Sequence, residues 1–308
     1  MEYSIRINGF LSKGYSLEET FKELSQIEEA THVDLNYPEH FEGLSYNDMK
    51  LLLNKYKLKV SSVAVRFRDG FNHGEFTNPD PTIVNSALII AKEASDIAEY
   101  LGCNHVILWF AQDGWTYPFE VDYQKIWIQS RNCLRKLCDY KANVDFSIEY
   151  KPYEPRTFSL YSSAAVTAMM AKEVDRDNIF VTMDLAHVYM KDEMPSFSVS
   201  LLMHHNLLSA VHVNDGYGLQ DDGLMVGSIR FLQTLEFYYY LKKYKYGKAI
   251  YFDTFPIREK PIEEVKQNIK MSNKLFELID MIGMSTIENI INQNDAIKAQ
   301  EIMMMCLK

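Results

Sequence analysis

Four segments between residues 144 and 255 each run from an apolar stretch into polar residues: VDFSIEYK (144–151), IFVTMDLAH (179–187), AVHVND (210–215) and AIYFDTF (249–255). Short apolar segments of this kind are typical of buried strands in a parallel sheet. The stretches between them have helical periodicity, so each predicted strand is followed by a predicted helix. This alternation is typical of βαβ units.

The same alternation extends back to the N-terminus. The predicted strands span residues 3–7, 33–35, 59–65, 105–110, 144–149, 179–184, 210–214 and 249–253. The predicted helices span residues 16–29, 45–55, 81–101, 121–140, 162–174, 197–206, 231–244 and 261–282. Eight strand–helix units without a linker predict an α/β protein with a single (β/α)8 TIM barrel rather than two domains. A doubly wound sheet has less support, because no GxGxxG follows the first strand.

The chain continues beyond the last barrel helix. We assign residues 1–284 to the barrel and residues 285–308 to an extra C-terminal helical tail, which carries the apolar run Ile302-Met303-Met304-Met305. Apolar methionines near a terminus can dock on their own barrel or on another subunit. The sequence leaves both alternatives open.

Composition excludes several classes of protein. The net charge of −10 argues against a nucleic-acid partner, because binding the phosphate backbone needs surplus Lys and Arg. The four cysteines form no CxxC pair, which favours reduced thiols. We also expect no secretory signal and no membrane span, since no apolar run approaches the ~18 residues that a span needs. A cytoplasmic location is therefore expected.

Four consecutive predicted strands end in a potential metal ligand: Glu149, Asp184, His212 and Asp253. In a (β/α)8 barrel the active site lies at the carboxyl ends of the strands, so these side chains should converge. Any one of the aspartates could simply cap the next helix. Three converging carboxylates, however, would repel one another unless they were protonated or bound a cation. Oxygen ligands with one imidazole suit Mn²⁺ best, with Mg²⁺, Co²⁺ or Zn²⁺ as alternatives.

Four motifs resemble the xylose isomerase-like barrel superfamily: IEYKPYEPR (148–156), TMDLAHVYM (182–190), HVNDGYGLQDDGLMVGS (212–228) and YFDTFP (251–256). That superfamily holds sugar isomerases, keto-sugar epimerases and type IV apurinic endonucleases. The resemblance implies that the four ligands form its shared metal site. It also implies that Lys151 and His187 touch substrate or a second metal. The endonuclease branch needs more histidines than this chain has, and acidity opposes DNA binding.

The loop after the HVND motif bears on the number of metal ions. In the rhamnose isomerase-like branch, alternating aspartates in this loop bind a second cation. Here the loop reads Asp221-Asp222-Gly223, so the last aspartate of the expected triplet is missing. Asp221 and His187 would hold a second ion only weakly. We therefore expect one tightly held metal, with Asp221 in contact with substrate.

Metal-assisted chemistry on a keto-sugar needs a base that removes the proton beside the carbonyl. The candidates are His187, Lys151 and His73, which lies in the loop after the third predicted strand. His187 could instead orient a ligand through a hydrogen bond. Lys151 could instead form a salt bridge to a ligand carboxylate.

Four further residues are assigned to substrate binding. Arg66 opens the loop that carries His73, and Trp115 and Tyr117 lie in the aromatic loop after the fourth predicted strand. That loop is either a wall for a ring-bearing substrate or a packed surface loop. Arg156 is the fourth, although it could instead pair with Glu154 or hold its own loop in place.

Two reaction types fit these residues. One is aldose–ketose isomerisation or epimerisation of a free sugar. The other is β-elimination from a 3-oxo-C-glycoside, because the motifs are similar to those in the catalytic subunits of bacterial C-glycoside deglycosidases. That resemblance implies one Mn²⁺ and a small β-rich partner subunit, and we favour it slightly. A catalytically silent barrel subunit is the alternative outside the enzymes.

Overall fold

Eight parallel strands close into a barrel in the computed structural model, which describes residues 1–306. The barrel strands are Tyr3–Arg6, Ala30–Tyr37, Lys59–Val65, His105–Leu108, Asp145–Glu149, Ile179–Asp184, Leu208–Val213 and Ile250–Phe252. Each strand pairs with the next one along the chain, and the last pairs with the first, where Tyr3 aligns with Ile250. The predicted (β/α)8 barrel is therefore confirmed.

A long helix lies between each strand and the next, and one follows the last strand. These helices are Leu17–Leu24, Tyr46–Lys55, Pro81–Leu101, Tyr123–Tyr140, Ala164–Val174, Pro195–His204, Phe231–Lys243 and Pro261–Ile282. Local sequence fixes their ends. The third helix, for example, begins after the N-cap Asp80, whose carboxylate accepts a hydrogen bond from the backbone N–H of Thr82 at 2.8 Å. It ends at Gly102, whose φ of 78° is the left-handed conformation that favours glycine.

The second strand shows where the sequence pattern was incomplete. The predicted strand covered residues 33–35, whereas the observed strand is Ala30–Tyr37. Asp34 and Asn36 are polar but buried. Asp34 accepts hydrogen bonds from Ser4 (2.6 Å) and Ser62 inside the barrel. Because polar side chains fill the barrel interior here, hydropathy alone underestimated the strand length.

Smaller elements were not predicted. The helix Leu185–Met190 directly follows the sixth barrel strand. Two-residue strands at Gly114–Trp115 and Phe158–Ser159 pair antiparallel above the barrel. The first predicted helix, at 16–29, ends earlier, as Leu17–Leu24.

The tail consists of two helices, Met284–Gln293 and Ala296–Cys306, and Asn294 between them adopts a left-handed conformation. Ile302 and Met305 pack against the core of the same chain, whereas Met304 is 58% exposed. Positions 307 and 308 lie outside the described residues. The division of the chain into a barrel over residues 1–284 and a tail over 285–308 stays a prediction.

Two further expectations concern the class of protein. The four cysteines are free, as the absence of a CxxC pair suggested. None of the helices within residues 1–306 has both the length and the hydropathy that crossing a bilayer requires.

Candidate metal centre

The barrel brings Glu149, Asp184, His212 and Asp253 together at the carboxyl ends of its last four strands. Asp184 and His212 are aligned directly across neighbouring strands, and Asp253 follows the eighth strand. One ligand atom from each residue can be chosen such that all four lie within 4.8 Å of one another. All four side chains are buried. We call these residues the quartet.

His212 lies at the centre of the quartet. Its Nδ1 is 3.6 Å from Glu149 Oε1, 3.9 Å from Asp184 Oδ2 and 4.0 Å from Asp253 Oδ2. This Nδ1 is buried and makes no hydrogen bond. A buried polar atom without a partner is costly, and here it faces three oxygen atoms. The donor set and its orientation thus fit a divalent cation held by three carboxylates and one imidazole.

The pKa values of the quartet residues also fit a site for a divalent cation. Burial raises the pKa of Asp184 to about 7, although His187 opposes the shift. Burial would also raise the pKa of Glu149, but His212 outweighs it and holds that pKa at about 2. Burial would lower the pKa of His212, yet Glu149 and then Asp253 raise it to about 9. Protons and a cation therefore compete for the same ligand atoms.

Residues that the sequence reasoning missed hold the quartet in place. The amide nitrogen of Asn214 donates to both carboxylate oxygens of Asp184, at 3.2 Å each, and its oxygen accepts from the backbone N–H of Ala186 at 2.8 Å. Arg6 Nε lies 2.9 Å from Asp253 Oδ1. Such neighbours fix the direction of metal-binding carboxylates. The signal for Asn214 was its position two residues after His212 on the same strand edge.

A second acidic group lies beside the quartet and consists of Asp184, His187 and Asp221. His187 Nε2 is 3.2 Å from Asp221 Oδ2, and His187 Nδ1 is 3.7 Å from Glu149 Oε1. The imidazole of His187 therefore spans the space between the quartet and Asp221. The structure brings His187, Asp221 and the quartet together as the sequence reasoning expected.

Lys151 places its ammonium in this second group. Its Nζ is 3.1 Å from Asp221 Oδ2 and 3.1 Å from Glu154 Oε2. Burial would lower the pKa of Lys151, but Asp221 and then Glu154 raise it above its ordinary value. The ammonium thus supplies positive charge where a second cation would contact Asp221. This arrangement supports a single metal ion and makes Lys151 a poor base.

Replacement of Lys151 by Met is expected to open a second metal site. The uncharged side chain leaves Asp221 and His187 without their cationic neighbour, so the bound Mn²⁺ should rise from one to two ions per chain. Equilibrium dialysis followed by elemental analysis measures this ratio. Lys141→Met is the matched control, because Lys141 also contacts two carboxylates, Asp96 and Glu99 at 2.7 Å each, but on the surface. A ratio of one in Lys151→Met would contradict the prediction.

An aromatic ring lies next to the cationic side chains of Arg66 and Lys151, and it belongs to Trp109. The guanidinium carbon of Arg66 is 5.2 Å from the ring centroid of Trp109, and Lys151 Nζ is 5.5 Å from it. Arg66 therefore lies at the barrel mouth, as expected of a substrate-binding residue. Trp109 directly follows the fourth strand, which ends at Leu108, whereas the predicted strand of residues 105–110 placed Trp109 inside it.

The aromatic residues that the sequence predicted to line the substrate site, Trp115 and Tyr117, have other surroundings in the structure. Trp115 lies in the short antiparallel pair and stacks on Phe158, with ring centroids 6.0 Å apart. Tyr117 is 72% exposed. Trp115 thus packs as in the surface loop that the sequence left as the alternative, whereas Tyr117 is exposed to solvent. The tertiary structure thus replaces Trp115 and Tyr117 by Trp109 as the ring beside Arg66 and Lys151.

Two more expected site residues lie apart from the quartet. His73 is exposed in its loop, and the structure gives it no contact with the quartet. Arg156 pairs with Glu120, which ties together the loops after the fourth and fifth strands. The predicted alternative partner, Glu154, pairs with Lys151 instead. Arg156 thus has the structural contact that the sequence reasoning offered as its second interpretation.

Asp215 also ends the seventh strand motif, but it has a structural role. Its carboxylate accepts hydrogen bonds from the backbone N–H groups of Gly216, Ile229 and Arg230 at 2.8–2.9 Å. These bonds close the loop that carries Asp221. Asp215 is therefore separate from the quartet although it is nearby in sequence.

Comparisons with known proteins agree with the barrel fold. The family model of the xylose isomerase-like TIM barrel matches residues 26–275. The xylose isomerase of Bacillus spizizenii is 23% identical over 154 residues, which are 48% of this chain and 35% of the relative. The chain thus spans about a third of the length of that curated relative.

Solved structures share the whole barrel. The D-psicose 3-epimerase of Clostridium cellulolyticum H10 superposes with a TM-score of 0.71 and 13% identity, covering 89% of this chain and 99% of that one. A 3-keto-D-glucoside 4-epimerase from E. coli gives a TM-score of 0.72 and 12% identity, with the same two coverages. At such identities the likeness shows the fold alone. Since the family model covers most of the residues, this chain belongs to the xylose isomerase-like TIM barrel family.

Proposed function

We propose that this chain is a keto-sugar epimerase or isomerase that uses one divalent metal ion, with Mn²⁺ as the preferred ion. The observation that carries the proposal is the quartet, in which buried His212 Nδ1 faces three carboxylates without a hydrogen-bond partner. The structural neighbours that act on keto-sugars support it. A cation bound there would polarise the substrate carbonyl and stabilise the enolate.

We assign the proton transfer to His187. Its imidazole is buried beside the quartet, so it can face the carbon next to the carbonyl. Asp221 holds the ring through Nε2, which leaves Nδ1 free of protein hydrogen bonds. Lys151 stays protonated and can donate a hydrogen bond to a substrate oxygen. Protonation of the same carbon by a second group on the opposite face gives epimerisation, whereas delivery of the proton from His187 to the former carbonyl carbon gives isomerisation.

The second candidate is cleavage of a 3-oxo-C-glycoside, which begins with the same proton removal. Loss of the proton at C2 gives an enolate that expels the group on the anomeric carbon, and that group leaves with a proton. Likeness to a 3-keto-D-glucoside epimerase favours a substrate with a ketone at that position. The rings of Tyr117 and Phe119 are exposed and offer an apolar surface to the partner subunit that this candidate implies. Metal chemistry and proton removal are common to both candidates.

Hydrogen exchange in D₂O tests the shared step. Mn²⁺-loaded protein is incubated with D-psicose, with L-ribulose and with a 3-keto-glucoside, and NMR follows deuterium at the carbon next to the carbonyl. We expect metal-dependent deuterium incorporation into at least one substrate, and the product identifies the reaction. Chelator-treated protein is the control. Absence of exchange with all three substrates would favour a non-catalytic barrel subunit.

A further inference from the structure

Three hydrogen-bond donors gather at the ends of the first three barrel strands. Arg6 ends the first strand, while His40 and Arg66 follow the second and third. His40 Nε2 is buried and has no hydrogen-bond partner within residues 1–306, whereas Arg6 Nε lies 2.9 Å from Asp253 Oδ1. Arg66 makes neither a side-chain hydrogen bond nor an ion pair within residues 1–306, and its guanidinium rests over Trp109. A buried donor without an acceptor, such as His40 Nε2, costs free energy, and the half-buried guanidinium of Arg66 lacks an ion-pair partner for its charge.

His40 is a donor because of its tautomer. Its Nδ1 accepts a hydrogen bond from the backbone N–H of Asn36 at 2.9 Å, so the proton of the neutral ring lies on Nε2. Burial is the main cause that lowers the pKa of His40 to about 4; Glu39 opposes the shift, and Arg66, Arg6 and Arg68 contribute to it. The ring is therefore neutral at physiological pH and lies among three guanidinium groups.

The acidic groups of this region are already occupied. Asp253 faces Arg6, while Glu39 pairs with Arg68 and accepts a hydrogen bond from Asn8 at 3.2 Å. Arg66 alone among these guanidinium groups has no carboxylate partner in the described chain. A neutral hydroxyl could accept its hydrogen bonds but would leave its charge uncompensated. An anionic group would accept the hydrogen bonds of Arg66 and also compensate its charge.

Resting on the proposed function, we propose that the substrate carries an oxyanion, a carboxylate or a phosphate, which Arg66 binds. The quartet belongs to the last four strands and Arg66 follows the third, so the anion would bind beside the quartet rather than within it. The planar fork of a guanidinium matches either oxyanion in two parallel hydrogen bonds. Contact with Trp109 holds that fork over the ring at the barrel mouth.

Calorimetric titration of the full, Mn²⁺-loaded chain tests the proposal with D-glucuronate, D-glucose 6-phosphate and D-glucose. At least one charged sugar should bind about 10- to 100-fold more tightly than glucose. The charged sugar that binds more tightly shows whether the site prefers a sugar acid or a sugar phosphate. Arg66→Met should abolish the preference and Arg66→Lys should retain part of it. Arg68→Met is the matched control, since this exposed guanidinium pairs with Glu39, and it should keep the full preference.

Two outcomes would overturn the proposal: equal affinity for all three sugars in the unmodified protein, or a preference that survives in Arg66→Met. Circular dichroism confirms that each variant is folded. Because Arg66 is not a metal ligand, the preference should persist in chelator-treated protein. Failure of the proposed function instead appears as a protein that binds no metal, so the two failures are distinguishable.

Discussion

Asp184→Asn is expected to lower the affinity for Mn²⁺ by more than about 100-fold. Asp184 is fully buried at the carboxyl end of the sixth strand, and the amide nitrogen of Asn214 donates hydrogen bonds to both of its carboxylate oxygens. The amide removes one negative charge from the quartet and offers a single oxygen. Dialysis against metal followed by elemental analysis should show a nearly metal-free protein.

Asp222→Asn is the control for this variant. Asp222 lies in the neighbouring loop and accepts a hydrogen bond from the backbone N–H of Tyr217 at 2.7 Å, outside the quartet. An asparagine keeps an oxygen that can accept this bond, so metal content should not change. Full Mn²⁺ occupancy in Asp184→Asn would show that the quartet is misassigned.

His187→Gln is expected to lower kcat by about 10²- to 10⁴-fold while the protein keeps its metal, because His187 is the proposed base and lies outside the quartet. Burial would lower the pKa of His187, but Asp184 and then Asp221 raise it to about 9. These carboxylates face the same space as the quartet, so neutralising them with a cation would bring this pKa down towards neutrality.

Kinetics can distinguish a base from a residue that only positions others. Loss of the base should remove the acidic limb of the pH profile of kcat/KM as well as lowering kcat. His204→Gln on the surface should leave both unchanged. If His187→Gln keeps the acidic limb and loses metal instead, His187 orients the ligands and another group takes the proton.

The sequence predicted the barrel because each strand–helix unit leaves its own local pattern. Strands such as Lys59–Val65 and Ile179–Asp184, and helices such as Pro81–Leu101, have the predicted bounds. Barrel strands pack against helices on their outer face, so they need apolar residues there. These residues form a recognisable pattern in the sequence. The second strand was underestimated because Asp34 and Asn36 are satisfied by partners far away in sequence, such as Ser4 and Asn8.

The quartet could also be inferred from the sequence, because the position of a residue at the end of a strand predicts its position in the folded barrel. The last residues of parallel strands must meet at one edge, so Glu149, Asp184, His212 and Asp253 were predicted to be close. Loop residues follow no such rule. Trp115 and Tyr117 were therefore chosen by composition, while Trp109 is the ring that contacts Arg66 and Lys151.

The sequence by itself determined the barrel, its edge and the four residues gathered there, since periodicity and strand order are local properties. Tertiary structure alone decided which charges pair across that edge. Lys151 pairs with Asp221, 70 positions away, and Arg156 pairs with Glu120 rather than Glu154. Within residues 1–306 Arg66 pairs with no carboxylate and lies over Trp109 instead. Ion pairing depends on distances of a few ångströms between loops whose paths are set by packing, and no local pattern records those distances.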